Sequence, residues 1–280
     1  VHGLPFFAAV YEPRSPILFV CEVADKLFFH VFPLPLAYLG IILERIYFKL
    51  YKNTPALAIS PSTKEDLISR GFKKNKITVL PMGFTVPKRK KFPKEKVPTI
   101  IYLSRINKQK GIEDAIESFR IIRDAIPNSR FWIVGTGDPE YVAKIKTRVK
   151  NYRLSPSVKF FGFVNEREKF QLLSRAHILI FPSIHEGWGI VIAEAGIMGT
   201  PSAVYDVAGV KDVVRGGERG IIVEKYRPDL LARGIIDLLK NDKLYKNLIS
   251  KVKSFEEEVG WEKTAKTAFA VIAKYENRKN

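Results

Sequence analysis

The chain has 280 residues, 46% of them hydrophobic, enough for one large domain or two of ordinary size, which excludes disorder and a collagen-like repeat. Charge is its one departure from globular averages: 47 Lys and Arg against 29 Asp and Glu give a net charge of +18, which predicts attraction to polyanions such as nucleic acid, an anionic membrane or phosphorylated small molecules without choosing among them. A single cysteine, Cys21, permits no internal disulfide, no spaced Cys/His set suits a zinc ion, and a reducing, cytoplasmic setting is expected.

The chain opens at Val1 without Met and without a signal-peptide layout, so further sequence is expected upstream. The first 97 residues carry 16 basic and 7 acidic side chains, the rest 31 and 22, making the first third about twice as basic per residue. The longest apolar stretch, Leu27 to Leu43, is broken by His30, Pro33 and Pro35 and followed by Glu44 and Arg45, which argues against a membrane span. With Phe28, Phe29, Phe32, Ile41, Ile42, Tyr47 and Phe48 beside Lys26, Arg45, Lys49 and Lys52, the segment to Tyr51 reads either as core of a first domain or as a helix facing an anionic membrane.

Ile17–Val20, Ala56–Ile59 and Ile77–Leu80 are apolar runs suited to buried strands, and residues 63–69 predict a helix opened by Ser62 or Thr63. The proline-punctuated basic run Lys88 to Lys96 reads as a solvated linker, giving a partial first domain over 1–87, a linker over 88–97 and a second domain over 98–255. In that second domain the strands Thr99–Leu103, Phe131–Val134, Val158–Phe161, Ile178–Phe181 and Ile221–Val223 alternate with helices over 112–122, 139–150, 166–175, 188–198, 228–240 and 243–253. Such alternation predicts an α/β fold with a doubly wound parallel sheet. Residues 256–280 hold a terminal helix from Trp261, with Ala265, Ala268, Ile272 and Tyr275 near helical spacing.

Ligands of open parallel sheets bind at the carboxyl ends of strands, so the residues just after each apolar run are informative. They include Arg105 and Lys110, cations five residues apart, and Pro182-Ser-Ile-His-Glu186-Gly187-Trp188-Gly189-Ile190, where glycines let backbone N–H groups approach a phosphate at a helix start. Gly135-Thr-Gly137 lacks the third glycine of a dinucleotide fingerprint and reads as a turn. Glu194 lies in a helix apolar on nearly every face, where a carboxylate requires donors, and a ligand hydroxyl could supply one.

Together, Glu186-Gly-Trp-Gly-Ile-Val-Ile-Ala-Glu194 after a strand and Pro-Ser resembles the Glu-x7-Glu motif of the retaining glycosyltransferases of the GT-B fold, family 4 (group 1). Leu103-Ser-Arg-Ile-Asn-Lys-Gln-Lys-Gly111 resembles the family's diphosphate loop, with Ser104 where glycine is usual, and residues 131–137, 158–164 and 199–204 match successive family elements. The resemblance implies two Rossmann-like domains, the first incomplete in this chain, and transfer of a hexose from a UDP or GDP sugar to a glycan or lipid-linked acceptor with retention of configuration. It implies that Arg105 and Lys110 neutralise the diphosphate with N–H groups of Gly187, Trp188, Gly189 and Ile190. By the same resemblance Glu186 holds the donor sugar, Glu194 the ribose, and the backbone at Phe163 and Val164 meets the base. Absence of Asp-x-Asp implies metal independence, with no cofactor beyond the donor. The terminal helix resembles one that packs back on the first domain.

Cys21 stands where the family often has His, and Ala208-Gly209 replaces a common Gly-Gly. A nucleotide-sugar epimerase of the same fold and an inactive, polyanion-binding relative are the rival readings. Specific nucleic-acid binding is not expected, because no recognition motif accompanies the charge and the aromatics fall mostly in apolar runs.

Overall fold

The structure, a computed structural model, describes residues 17–24, 27–80, 82–85 and 92–276. The start of the chain, Lys26, Lys88–Lys91 and the last four residues, on which parts of the reading above fall, lie outside the described residues. The chain forms two units: Val1–Thr85 with Glu186–Trp188 and Val259–Asn280, and Val86–His185 with Gly189–Glu258.

In the first unit, β1 (Leu18–Val20), β2 (Ala56–Ala58) and β3 (Ile77–Val79) form a parallel three-stranded sheet in that order. Helices α1 (Phe28–Val31) and α2 (Leu34–Tyr51) precede β2, and α2 seats Tyr47, Phe48 and Tyr51 against Leu18, Val20, Ala56 and Ala58. The following helix, α3 (Pro61–Ser69), starts earlier than Ser62 or Thr63: the Ser60 side chain accepts from the Thr63 N–H at 3.1 Å, and Pro61 occupies the first turn, where its missing N–H has no consequence.

The second unit holds six parallel strands in the order β6-β5-β4-β7-β8-β9. They are β4 (Thr99–Leu103), β5 (Arg130–Val134), β6 (Val158–Gly162), β7 (Ile178–Phe181), β8 (Ser202–Tyr205) and β9 (Gly220–Val223). The order is that of a dinucleotide-type fold, with the direction of progression reversing between β4 and β7. Strand β8 is not evident from the sequence because it is four residues long and opens on a serine; it is buried at every position between two neighbours. Helices α4 (Ile112–Ala125), α5 (Pro139–Asn151), α6 (Glu166–Arg175), α7 (Ile190–Ile197), α8 (Val210–Val213), α9 (Pro228–Lys240), α10 (Asp242–Val252) and α11 (Phe255–Glu258) complete the unit. Helix α4 shows how the pattern folds: Ile112, Ala115, Ile116, Phe119 and Ile122 are fully buried, and Phe119 stacks on Phe131 of β5 with ring centroids 5.0 Å apart. Each large side chain so buried contributes about 2 kcal/mol.

Two boundaries depart from the sequence reading. The described part of the Lys88–Lys96 run is clamped to the second unit rather than solvated: the Phe92 N–H donates to Ser174 Oγ, and Glu95 pairs with Arg175. Lys94 Nζ donates to the Ala176 carbonyl and Thr200 Oγ1, both at 2.6 Å. The end of α6 leaves carbonyls without intrahelical donors, and Lys94 supplies one. At the other end, residues up to Glu258 stay with the second unit, where the buried Arg219 lies 4.7 Å from the Phe255 ring centroid and pairs with Glu258. Helix α12 (Trp261–Glu276) then packs Ala268, Val271 and Tyr275 around Leu57 and Leu80 of the first unit.

Burial pulls the Lys94 ammonium down to about 7. Burial, aided by the Lys94 charge, takes the His177 imidazole down to about 4, and its Nδ1 accepts from the Thr99 N–H at 3.1 Å. The unfolded chain binds these protons up to about 10.4 and 6.5 respectively, so stability should rise with pH from about 4 to 6.5, and again above 7 by about 1 kcal/mol per pH unit. Urea denaturation across pH should show both climbs in the wild type and lose the upper one in Lys94→Met; a flat wild-type profile above pH 7 would mean that Lys94 stays charged.

Candidate functional site

The site is built where β4 and β7 lie side by side and their chain connections diverge. After β4, the Ser104 and Ile106 N–H groups donate to the Val134 and Thr136 carbonyls at 3.1 and 2.8 Å, joining this loop to the one after β5. The buried Tyr102 hydroxyl donates to the Arg105 carbonyl at 3.0 Å, and Asn107 Oδ1 accepts from the Lys110 N–H at 2.9 Å. On the other side, the Ile184 N–H donates to the Gln109 carbonyl at 3.0 Å, tying the loop after β4 to the loop after β7.

Glycine is required at two of these joints. Gly111 adopts φ 67°, and a Cβ there would lie 2.0 Å from the Pro182 carbonyl oxygen; Gly135 adopts φ 130°, and its Cβ would lie 1.9 Å from the Ser104 carbonyl oxygen. Gly135-Thr-Gly137 is therefore neither a nucleotide fingerprint nor a plain turn: its backbone packs directly on the cationic loop, with Ile106 bridged to Gly137.

This framework presents Arg105 exposed, in no ion pair with any described residue. Lys110 Nζ lies 6.0 Å from the centroid of the Phe181 ring at the end of β7. Gly189, at φ 87° and ψ 58°, caps the start of α7, so the helix begins two residues later than predicted. Arg105, Lys110, Phe163, Val164, Gly189, Ile190 and Glu194 belong to the second unit; Glu186, Gly187 and Trp188, each half-buried, are grouped with the first, where a Cβ on Gly187 would lie 2.4 Å from the Cys21 carbonyl oxygen. Burial pushes the Cys21 thiol above its ordinary pKa, so at neutral pH it is not a thiolate nucleophile.

Phe163 follows β6 and is 83% exposed, with Val164 half-buried beside it and Asn165 capping α6 by accepting from the Glu168 N–H at 2.9 Å. Glu194 is buried on α7, as the apolar sequence around it predicts, but it meets a donor within the protein that the sequence reading did not single out. Lys169 Nζ donates to Glu194 Oε1 at 2.7 Å and to Glu166 Oε1 at 2.8 Å. Burial raises the Glu194 pKa, the Lys169 ammonium opposes that rise, and the Glu166 carboxylate adds to it. The only hint of Lys169 in the sequence is that a buried carboxylate needs a cation; which of the many lysines provides it depends on how α6 packs on α7.

Residues 85–255 match the glycosyl transferases group 1 family. The chain belongs to that family. Among curated proteins it is 30% identical to an uncharacterised glycosyltransferase of Methanocaldococcus jannaschii, covering 60% of this chain and 42% of that one. It is also 30% identical to the capsular polysaccharide biosynthesis glycosyltransferase of Staphylococcus aureus, covering 72% and 56%. The chain thus spans about half the length of these relatives or less. Among solved structures it resembles Anabaena HepE, crystallised with UDP and glucose, with a TM-score of 0.78 at 16% identity over 96% of this chain and 74% of that one. The fold is GT-B, as the motifs implied.

The two glycine classes make a direct test of this framework. Gly111→Ala should destabilise the chain by about 2–4 kcal/mol in urea denaturation, because strain and a backbone clash combine. Gly162→Ala has the same φ of 67° with nothing within 4 Å and should lose only about 1 kcal/mol. Equal losses would show that the backbone contact at Gly111 contributes nothing.

Proposed function

We propose that this chain carries the nucleotide-sugar site of a retaining hexosyltransferase that moves a hexose from a UDP or GDP sugar to a glycan or lipid-linked acceptor. The observation that carries the reading is the seam at the β4/β7 switch point, where the Arg105 to Gly111 loop is bonded and packed onto Pro182–Ile184. That seam holds two cations at the carboxyl ends of parallel strands, beside the start of a helix, which is the arrangement that favours a diphosphate. The UDP and glucose seen with Anabaena HepE, and the capsular polysaccharide pathway of the Staphylococcus aureus relative, support the same class of donor and product.

In this reaction the bond from the sugar's anomeric carbon to the diphosphate oxygen breaks and its electron pair goes to that oxygen, while an acceptor hydroxyl oxygen bonds to the same carbon on the same face and its proton passes to the departing diphosphate. Arg105 and Lys110 stabilise the charge that develops there, helped by N–H groups from Gly187 to Ile190. Glu186 holds the donor sugar's hydroxyls, the Glu194 carboxylate accepts from the ribose, and the backbone at Phe163 and Val164 meets the base. Because two fixed cations neutralise the leaving group, transfer requires no divalent ion. A thermal-shift series with UDP, GDP and their hexose conjugates should raise Tm by several degrees with one base, equally in EDTA, and the shift should vanish in Lys110→Ala and Glu194→Ala. A shift that survives both substitutions, or that needs a divalent ion, would contradict these roles.

The acceptor side is proposed to meet an anionic membrane through α2. Leu36, Leu39, Ile42, Ile46 and Leu50 are all about half exposed, recur at helical spacing on one side of α2, and are flanked by exposed Arg45, Lys49 and Lys52. No described helix is long and apolar enough to cross a membrane, so the contact is interfacial, with basic residues against lipid phosphates. The chain should sediment with phosphatidylglycerol vesicles, not with phosphatidylcholine ones, and Ile46→Asp should reduce binding at least tenfold with an unchanged Tm. Binding unaffected by Ile46→Asp would overturn this surface.

A further inference from the structure

We infer that Lys169 is a positioning residue for nucleoside recognition: it commits one oxygen of Glu194, leaves the other for the ligand, and joins the carboxylate to the helix that starts at the base-facing loop. This rests on the reading of Glu194 given above and adds to it a residue outside the family motif.

The geometry is specific. Lys169 lies in the first turns of α6, four residues after the Asn165 cap and six after Phe163, so its position is fixed by the same helix start that fixes Phe163 and Val164. Its side chain is 14% exposed and that of Glu194 9%, so their 2.7 Å contact is shielded from water. Glu166, 76% exposed, takes a second proton of the ammonium at 2.8 Å and holds Lys169 from the solvent side. The Lys169 ammonium also lies 4.8 Å from the Phe170 ring centroid. Among the described residues none donates to Glu194 Oε2, and a ribose hydroxyl is a donor of the right kind.

Electrostatics gives the arrangement a consequence. Burial lowers the Lys169 pKa, but the Glu166 and Glu194 carboxylates outweigh it, and the ammonium stays charged. The charged groups that act on Glu194 are Lys169 and Glu166 of α6. On the opposite side α10 and α11 present the apolar Val252 and Phe255 to Gly196 of α7, while the buried side chains of β7 and β8 are apolar apart from Ser202 and from Tyr205, whose hydroxyl donates to Asp114. Without Lys169 the buried carboxylate would retain its proton to higher pH and cease to be an acceptor at both oxygens. Loss of Lys169 should therefore weaken nucleoside diphosphates more at low pH than at high pH, and should spare a ligand with no ribose.

The test measures binding of UDP, GDP and inorganic pyrophosphate by calorimetry to the wild type, Lys169→Met, Lys169→Arg and Glu194→Gln. Lys169→Met should weaken the preferred nucleoside diphosphate about tenfold at about pH 6 and only two- to threefold at about pH 8.5. Pyrophosphate should bind all four proteins alike, and Lys169→Arg should restore most of the affinity. A loss independent of pH, or one shared by pyrophosphate, would assign Lys169 a merely structural role and overturn the inference. If Glu194→Gln weakens the nucleotide and Lys169→Met does not, the inference fails while the ribose role of Glu194 stands. If the wild type binds pyrophosphate but gains nothing from a nucleoside, both fail.

Discussion

The diphosphate seat proposed for this chain depends on one backbone closure, that of the loop after β4 onto the loop after β7. Parallel strands leave their carboxyl ends open, and at the switch point between β4 and β7 no crossing connection covers them. Loops there would ordinarily be mobile and well separated. Here the Ile184 N–H bonds to the Gln109 carbonyl and Gly111 lies directly against Pro182, so two short segments behave as one surface. A pair of cations on a wandering loop would bind anions weakly; the same pair on a fixed loop is preorganised to hold one.

The rest of the second unit supports that seam. Gly135 lets the loop after β5 come within contact of Ser104, and the buried Tyr102 hydroxyl holds the Arg105 carbonyl from below. Helix α7, apolar on almost every side, is anchored in the unit by Gly196, which admits the Phe255 ring against its backbone. Embedding a carboxylate in such a helix carries a desolvation penalty, and the Lys169 ammonium is the compensation present in the protein itself. The proposed ribose acceptor is therefore held by the same ion pair that makes its burial tolerable.

Much of this was legible from the sequence, and the exceptions have physical causes. Strands such as Thr99–Leu103 and the amphipathic face of α4 are visible because long apolar runs and 3.6-residue spacing leave few alternatives. The Glu186 to Glu194 motif and the Arg105/Lys110 loop were legible through family resemblance more than through composition, since lone loop cations are common in a basic chain. Three features were not readable: Ser202–Tyr205 is too short and too mixed to announce a strand, the stretch at Lys94 carries the composition of a linker while its amine caps a helix end, and Lys169 is one lysine among many until α6 packs on α7. In each case the missing information is a long-range contact, which local pattern does not encode.

We propose above all that the seam at β4 and β7 binds the diphosphate of a sugar nucleotide. The measurement that tests it most directly is a crystal structure of the chain with the nucleoside diphosphate that stabilises it. Diphosphate oxygens should lie within hydrogen-bond distance of Arg105 and Lys110, with the ribose on Glu194 and the base beside Phe163 and Val164. A nucleotide bound elsewhere, or one seated with its diphosphate away from both cations, would contradict it.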